Sequence, residues 1–199
     1  MDYELAAMVE PVGVAVRAVQ KGGIQAGDRV LVFGAGNIGL LVIQVARTLG
    51  AGRVAVTDIL PERLALAEKL GADQAIDVRK GFPRNELEKQ FDIVIDGVGS
   101  EGSVQDALLA CARGGRIVVY GVPQGDIVFA LKVAFAKDVT LATSRLYDAD
   151  FNLAIGLLAE GKISVRDIIT HRITLAEAPP LIFRVLDGKE HAIKIMISP

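Results

Sequence analysis

Residues 29–39, Arg29-Val30-Leu31-Val32-Phe33-Gly34-Ala35-Gly36-Asn37-Ile38-Gly39, decide how the rest of the chain is read. A short, mostly apolar run, as expected of a strand buried on both faces, ends directly in G-x-G-x-x-G. A helical apolar pattern, "IGLLVIQVARTLGAG", follows and stops at Gly50 and Gly52. In such a turn Gly34 ends the strand and Gly36 removes the side chain that would keep a pyrophosphate off the backbone. Gly39 lets the helix pack closely on the strand. The helix starting near Asn37 or Ile38 aims free N–H groups and its positive end at the phosphates.

The same pattern also fits a plain tight turn, so the context has to decide. The next strand, "RVAVTD", ends in Asp58, 19 residues after Gly39. A carboxylate there accepts hydrogen bonds from both ribose hydroxyls and repels a 2′-phosphate, so NAD is expected in preference to NADP. Arg63 lies one turn into the helix opened by Pro61. It covers the adenine or steadies the ribose, unless it is simply a solvated helix residue.

Outward from this unit, strands and helices keep alternating. "QAIDV", "FDIVID", "RIVVYG" and "DVTLATS" read as further strands, and "PERLALAEKLGA" and "EGSVQDALLACARGG" as helices. Strands separated by helices pair in parallel through right-handed crossovers, which predicts an α/β fold with a doubly wound, six-stranded sheet of the Rossmann type. The tail predicts a short α+β extension: helices at "DFNLAIGLLAEGK" and "TLAEAPPLIFRVLDG", strands at "THRIT" and "AIKIMI". The expected division is a helical lead-in over 1–28, the dinucleotide-binding domain over 29–145 and the extension over 146–199.

A weak repeat joins two halves. G-x-G-x-x-G recurs at Gly97, Gly99 and Gly102, and in each half 24 positions separate the first glycine from the residue closing the next strand, Asp58 or Gly121. No carboxylate stands at the second of these, so the second turn is not expected to bind phosphate. Gly97, Val98 and Gly121 instead let a flat ring lie close to the backbone, which marks this half as the nicotinamide side.

Composition narrows the class. The chain has 199 residues, 51% hydrophobic, with no Trp and a net charge of −2, which predicts one aliphatic core and no basic stripe for nucleic acid. One cysteine, Cys111, excludes an internal disulfide and a cysteine-cluster zinc site in this chain; it reads as a small hydrophobe within a helix. The acidic start, "MDYELAAMVE", is unlike a signal peptide, and no apolar run is long enough to span a bilayer. A cytoplasmic location is expected, without membrane partners.

Taken together, "MVEPVGVAVRAV", "GAGNIGLLVIQVARTLGAGRVAVTD", "PERLALAEKLGAD", "ARGGRIVVYGVP", "SRLY" and "LLAEGKI" resemble, in order, the C-terminal portion of the zinc-dependent medium-chain dehydrogenases, the alcohol, threonine and sorbitol-type polyol enzymes. The resemblance implies that Gly34, Gly36, Asn37, Ile38 and Gly39 bind the pyrophosphate, that Asp58 and Arg63 hold the adenosine ribose, and that Val98 and Val122 line the nicotinamide pocket. It also implies that Lys194 stands close to the phosphates. Enzymes of that family oxidise an alcohol by passing hydride to NAD, with zinc polarising the alcohol oxygen. Glu10 of the "EP" motif matches a position that approaches the zinc, directly or through its water, and Arg145 matches a residue facing the same cleft.

The family's zinc ligands come from a separate domain. A catalytic zinc needs three protein ligands, so Glu10 alone does not make one, and in this chain it is expected as a solvated carboxylate on an exposed face. His171 and His191 are not spaced for a metal. The expectation is therefore an NAD-binding portion, truncated and inactive alone, that pairs into a homodimer or homotetramer through an edge strand near "DVTLATS". The substrate would be an alcohol or polyol. Two alternatives remain open: a stand-alone NAD-sensing domain, and an S-adenosylmethionine-dependent methyltransferase, whose turn usually wants Gly where Ile38 stands.

Overall fold

The computed structural model describes residues 1–147 and 151–198. Asp150, the first residue expected in the helix "DFNLAIGLLAEGK", lies outside the described residues. The chain opens with two helices, α1 (Tyr3–Ala7) and α2 (Val9–Gly22). The alternation follows as β1 (Arg29–Phe33), α3 (Asn37–Thr48), β2 (Arg53–Asp58), α4 (Pro61–Lys69), β3 (Gln74–Asp77), α5 (Arg84–Leu87), β4 (Phe91–Asp96), α6 (Glu101–Ala110), β5 (Cys111–Val119), α7 (Leu131–Lys137) and β6 (Thr140–Thr143). Beyond these come α8 (Phe151–Ala159), β7 (Ile169–Thr174), a 3-10 turn (Leu175–Glu177), α9 (Ala178–Leu186) and β8 (Lys194–Ser198).

The six central strands run parallel in the order β3-β2-β1-β4-β5-β6. The order reverses between β1 and β4, and ligands of such sheets bind in the crevice at that point, beyond the carboxyl ends of the strands. Strand pleating explains why the central runs are apolar at every position. In β1, Val30 and Val32 enter one core while Leu31 and Phe33 enter the other. The first core lies under α2, α3, α4 and α8, the second under α5, α6 and α7.

Helices α2 and α8, from the expected lead-in and extension, pack into this body. Val12, Val16 and Val19 of α2 and Leu157 and Leu158 of α8 belong to the same buried cluster as Val30 and Val32. Gln44 of α3 strengthens the join like a strand partner: its Nε2 donates to the Ser164 carbonyl (3.0 Å) and its Oε1 accepts from the Ser164 N–H (2.7 Å). The small sheet pairs β7 and β8 in parallel, and Arg172 of β7 grips Glu4 of α1 at 2.6 and 3.0 Å.

Two local expectations need correction. "EGSVQDALLACARGG" is not helical to its glycines, because α6 ends at Ala110 and Cys111 is already extended (φ −64°, ψ 132°). The cause is tertiary. The Lys137 ammonium of α7 is buried and donates to the carbonyls of Leu108, Leu109 and Cys111 at 2.7, 2.8 and 2.9 Å. A cation on the last carbonyls caps a helix C-terminus and complements its dipole. Cys111 is therefore not inside a helix but at the start of β5, where burial pushes its thiol up to about 11 and leaves it protonated. The helix α7 itself was not anticipated. Among the described residues no helix is long and apolar enough to cross a membrane.

Candidate functional site

The local geometry of the first glycine turn follows from its three glycines. Gly34 has φ +90°, a left-handed conformation that side chains rarely adopt. A Cβ on Gly39 would overlap the carbonyl oxygen of Gly34, so only glycine lets α3 start this close to β1. At Gly36 the reverse holds: the nearest atom to such a Cβ is Nη1 of Arg63, 3.9 Å away, and the space is open. The first helical bond of α3 runs from Leu40 N–H to the Gly36 carbonyl (3.0 Å), so the N–H groups of residues 37–39 have no helix carbonyl to reach. Asn37 opens the helix with a buried Oδ1 that finds no donor among the described residues, and Ile38 is half-buried behind it.

Asp58 closes β2 beside this turn and is 8% exposed. Its Oδ2 accepts from the Ala35 N–H at 2.7 Å, and its Oδ1 accepts from Ile59 and Leu60 at 2.8 and 2.9 Å. The carboxylate thus ties the glycine turn to the start of the next loop. A carboxylate offers about four lone-pair positions, so three backbone donors leave room for a ligand hydroxyl. Sequence reasoning gave Asp58 a ligand role and missed this structural one.

A cavity of about 510 Å³ opens at the crevice between β1 and β4. Gly34, Gly36, Asp58 and Arg63 line it, and so does Val98, half-exposed on the loop after β4. The structure thus brings these five residues together, with Gly97 and Gly102 of the second glycine motif on the same cavity. Val98 shares the cavity with Asp58 rather than with Val122, which is 83% exposed and does not line it. Lys194 stands apart at the start of β8 in the small sheet. Glu10 is exposed in the first turn of α2, and Arg145 is exposed just beyond β6; neither lines the cavity.

The second turn is built differently. Asp96, fully buried at the end of β4, accepts from Val98 N–H (2.8 Å) and Gly99 N–H (3.2 Å) with Oδ1 and from the Ser103 hydroxyl (2.8 Å) with Oδ2. Burial pushes its carboxyl above the usual carboxylate range, while these three donors pull it back. The space a side chain would take at Gly97 is filled by the phenol of Tyr120, whose own ionisation burial opposes. Cβ atoms on Gly99 and Gly121 would each come within 2.5 Å of the other's backbone. A ring of the protein itself, that of Tyr120, thus lies against Gly97, while Gly97 and Val98 also line the cavity. The repeat spacing gives no sign of Asp96, because the acid that organises this turn precedes it and does not stand 24 positions on, at Gly121.

Among the described residues, no three His, Cys, Asp or Glu side chains gather where they could hold a metal ion. His171 instead faces Glu190 at 3.4 Å in the small sheet.

Comparison with known proteins places the chain among dehydrogenases. The family described as "Zinc-binding dehydrogenase" matches residues 37–160. D-xylulose reductase A of Aspergillus oryzae is 34% identical over 208 residues, covering 100% of this chain and 58% of its own length. Human sorbitol dehydrogenase is 32% identical over 185 residues, covering 89% and 52%. The chain therefore spans about half the length of the curated relatives it matches. Two solved structures superpose on nearly all of it. A dehydrogenase from Escherichia coli CFT073 complexed with NADH has a TM-score of 0.89 and 26% identity, over 98% of this chain and 59% of that one. A zinc-binding dehydrogenase from Sinorhizobium meliloti 1021 bound to NADP has a TM-score of 0.90 and 28% identity, again over 98% and 59%. Nothing among these matches supports the methyltransferase alternative.

Proposed function

The chain belongs to the zinc-binding dehydrogenase family, and on that premise we propose that it is the NAD-binding portion of an alcohol or polyol dehydrogenase. The observation that carries this reading is the cavity in which an open glycine turn and a near-buried aspartate face the same space. The unfilled position at Gly36 fits a pyrophosphate against the backbone. When bound, NAD supplies the hydride acceptor for oxidation of a secondary alcohol.

This chain's residues bind and orient. Gly34, Gly36 and Gly39 shape the turn, the N–H groups of residues 37–39 face the pyrophosphate, and Arg63 neutralises its charge from across the turn. Asp58 accepts from the adenosine ribose and, as a fixed negative charge, disfavours a 2′-phosphate. Val122 and Lys194 would join the nicotinamide and phosphate contacts only if a further part of the protein closes over them. Glu10 and Arg145 belong with the same closure, because both are exposed and outside the cavity. The described residues do not supply a zinc ligand set, so no step is assigned to zinc here. The polyol class is taken from the xylulose and sorbitol relatives. Pairing of two copies through the exposed edge of β6, where Leu141 is 43% exposed, and a cytoplasmic location complete the reading.

Calorimetric titration of the 199-residue chain with NAD and with NADP tests it. NAD is expected to bind, more tightly than NADP, with or without added zinc. Binding of neither dinucleotide would overturn the cofactor reading, and equal binding would overturn the role of Asp58.

A further inference from the structure

The phosphate and ribose contacts leave part of the cavity lining unused, a slot bounded by residues of the β3 loop, the β4 loop and α6. Phe82, on the loop after β3, forms one apolar wall; its ring is steadied by Phe33, with centroids 5.2 Å apart at 31°. Val98 forms another, on the cavity shared with Asp58 and apart from Val122, with which the resemblance groups it at the nicotinamide. The back of the slot is α6, where Gly102, Ser103 and Asp106 reach the cavity. Gly102 offers no side chain. The Ser103 hydroxyl is engaged with Asp96 at 2.8 Å. Asp106 remains: its side chain is 15% exposed, and among the described residues its one bond, from Arg84 Nε at 2.8 Å, engages one of its two oxygens.

We propose that Asp106 reads the base of the dinucleotide by accepting a hydrogen bond from the 6-amino group of adenine, which makes the slot selective for an amino-substituted purine. This rests on the reading of the cavity as a dinucleotide site. The chemistry is one-sided. An ionised carboxylate only accepts, and the exocyclic amine is the one strong donor on adenine's ring edge. The phosphate end is fixed at Gly34 and Gly36 and the ribose at Asp58, so the base falls in the remaining part of the same cavity. Phe82 and Val98 supply apolar contact for its faces. A base carrying a carbonyl at that position would bring an acceptor against a carboxylate, so discrimination arises from repulsion as well as from the lost bond. Arg84, exposed on α5, holds the carboxylate in place.

The test compares NAD with nicotinamide hypoxanthine dinucleotide, in which a carbonyl replaces the amino group, by calorimetric titration of the unmodified chain and of Asp106→Asn. The unmodified chain is expected to bind NAD roughly tenfold or more tightly than the analogue, the scale of a hydrogen bond to a charged group. In D106N the preference should shrink to within about twofold, because an amide can turn to accept from the amine or donate to the carbonyl. Equal affinities in the unmodified chain, which need no variant to fold, would overturn the proposal, as would a preference that survives in D106N. Failure of either chain to bind NAD at all is a different result, since it strikes the cofactor reading itself.

Discussion

The two G-x-G-x-x-G turns share a spacing and a place at the ends of adjacent strands, β1 and β4, yet they use their glycines for opposite purposes. At the first, Gly36 leaves a space that no protein atom fills, and the space opens on the cavity. At the second, the matching glycine, Gly99, lies backbone to backbone with Gly121, and the space at Gly97, which matches Gly34, is taken by Tyr120. Their carboxylates differ in the same way. Asp58 retains access to the cavity, whereas Asp96 is sealed and spends its oxygens on the loop it precedes. Omitting a side chain therefore signals ligand binding only where nothing else in the fold moves in.

The third glycine of each motif gives the sharpest contrast. Gly39→Ala must displace the Gly34 carbonyl, and is expected to cost about 3 kcal/mol or more and to abolish dinucleotide binding. Gly102→Ala meets no backbone and sits inside α6, so it should be neutral or stabilise by up to roughly 1 kcal/mol. Urea denaturation of the two variants measures the difference, and comparable losses would break the comparison.

Next in size is Gly97→Ala, expected to destabilise by about 2 kcal/mol through overlap with the Tyr120 phenol. Adding Tyr120→Leu should recover part of that loss, and a double-mutant cycle reports the coupling. Additive effects would mean that the ring does not hold Gly97 to glycine.

Asp58→Asn bears on the open turn. Affinity for NAD should fall roughly tenfold, and the advantage over NADP should narrow, because the charge that repels a 2′-phosphate is gone. Competition titration of the two cofactors reads both effects. An unchanged preference would place cofactor choice elsewhere.

Asp96→Asn carries the smallest effect and a distinct pH signature. The native state raises this carboxyl above its ordinary range, mainly by burial. Its contribution to stability is therefore fully present below the ordinary aspartate value and is lost as pH rises through the raised one. Asparagine keeps acceptors for Val98 and Gly99 and can face Ser103, whose hydroxyl also reaches the Ser100 carbonyl at 3.0 Å. D96N should thus be within about 1 kcal/mol of the parent at neutral pH and show a flatter stability profile from pH ~4 upward. Denaturation midpoints across that range decide it; a steeper profile in the variant would contradict the burial argument.

Reading the sequence alone determined the sheet, its parallel order of elements and the first glycine turn, because these depend on local pattern: apolar runs, a strand-to-helix turn and an acid at the next strand end. The proposed cofactor site rests on the same short range. Tertiary structure decided what lies across space. Lys137 ends α6 four residues before its glycines, Tyr120 closes the second turn, and Asp106 of α6 meets Phe82 of the β3 loop at the cavity. Such contacts join residues far apart in the chain, and no periodicity carries them. The physical reason is that packing fills space without regard to sequence distance, so the same glycine motif stays open on a cavity in one half and becomes a packing joint in the other.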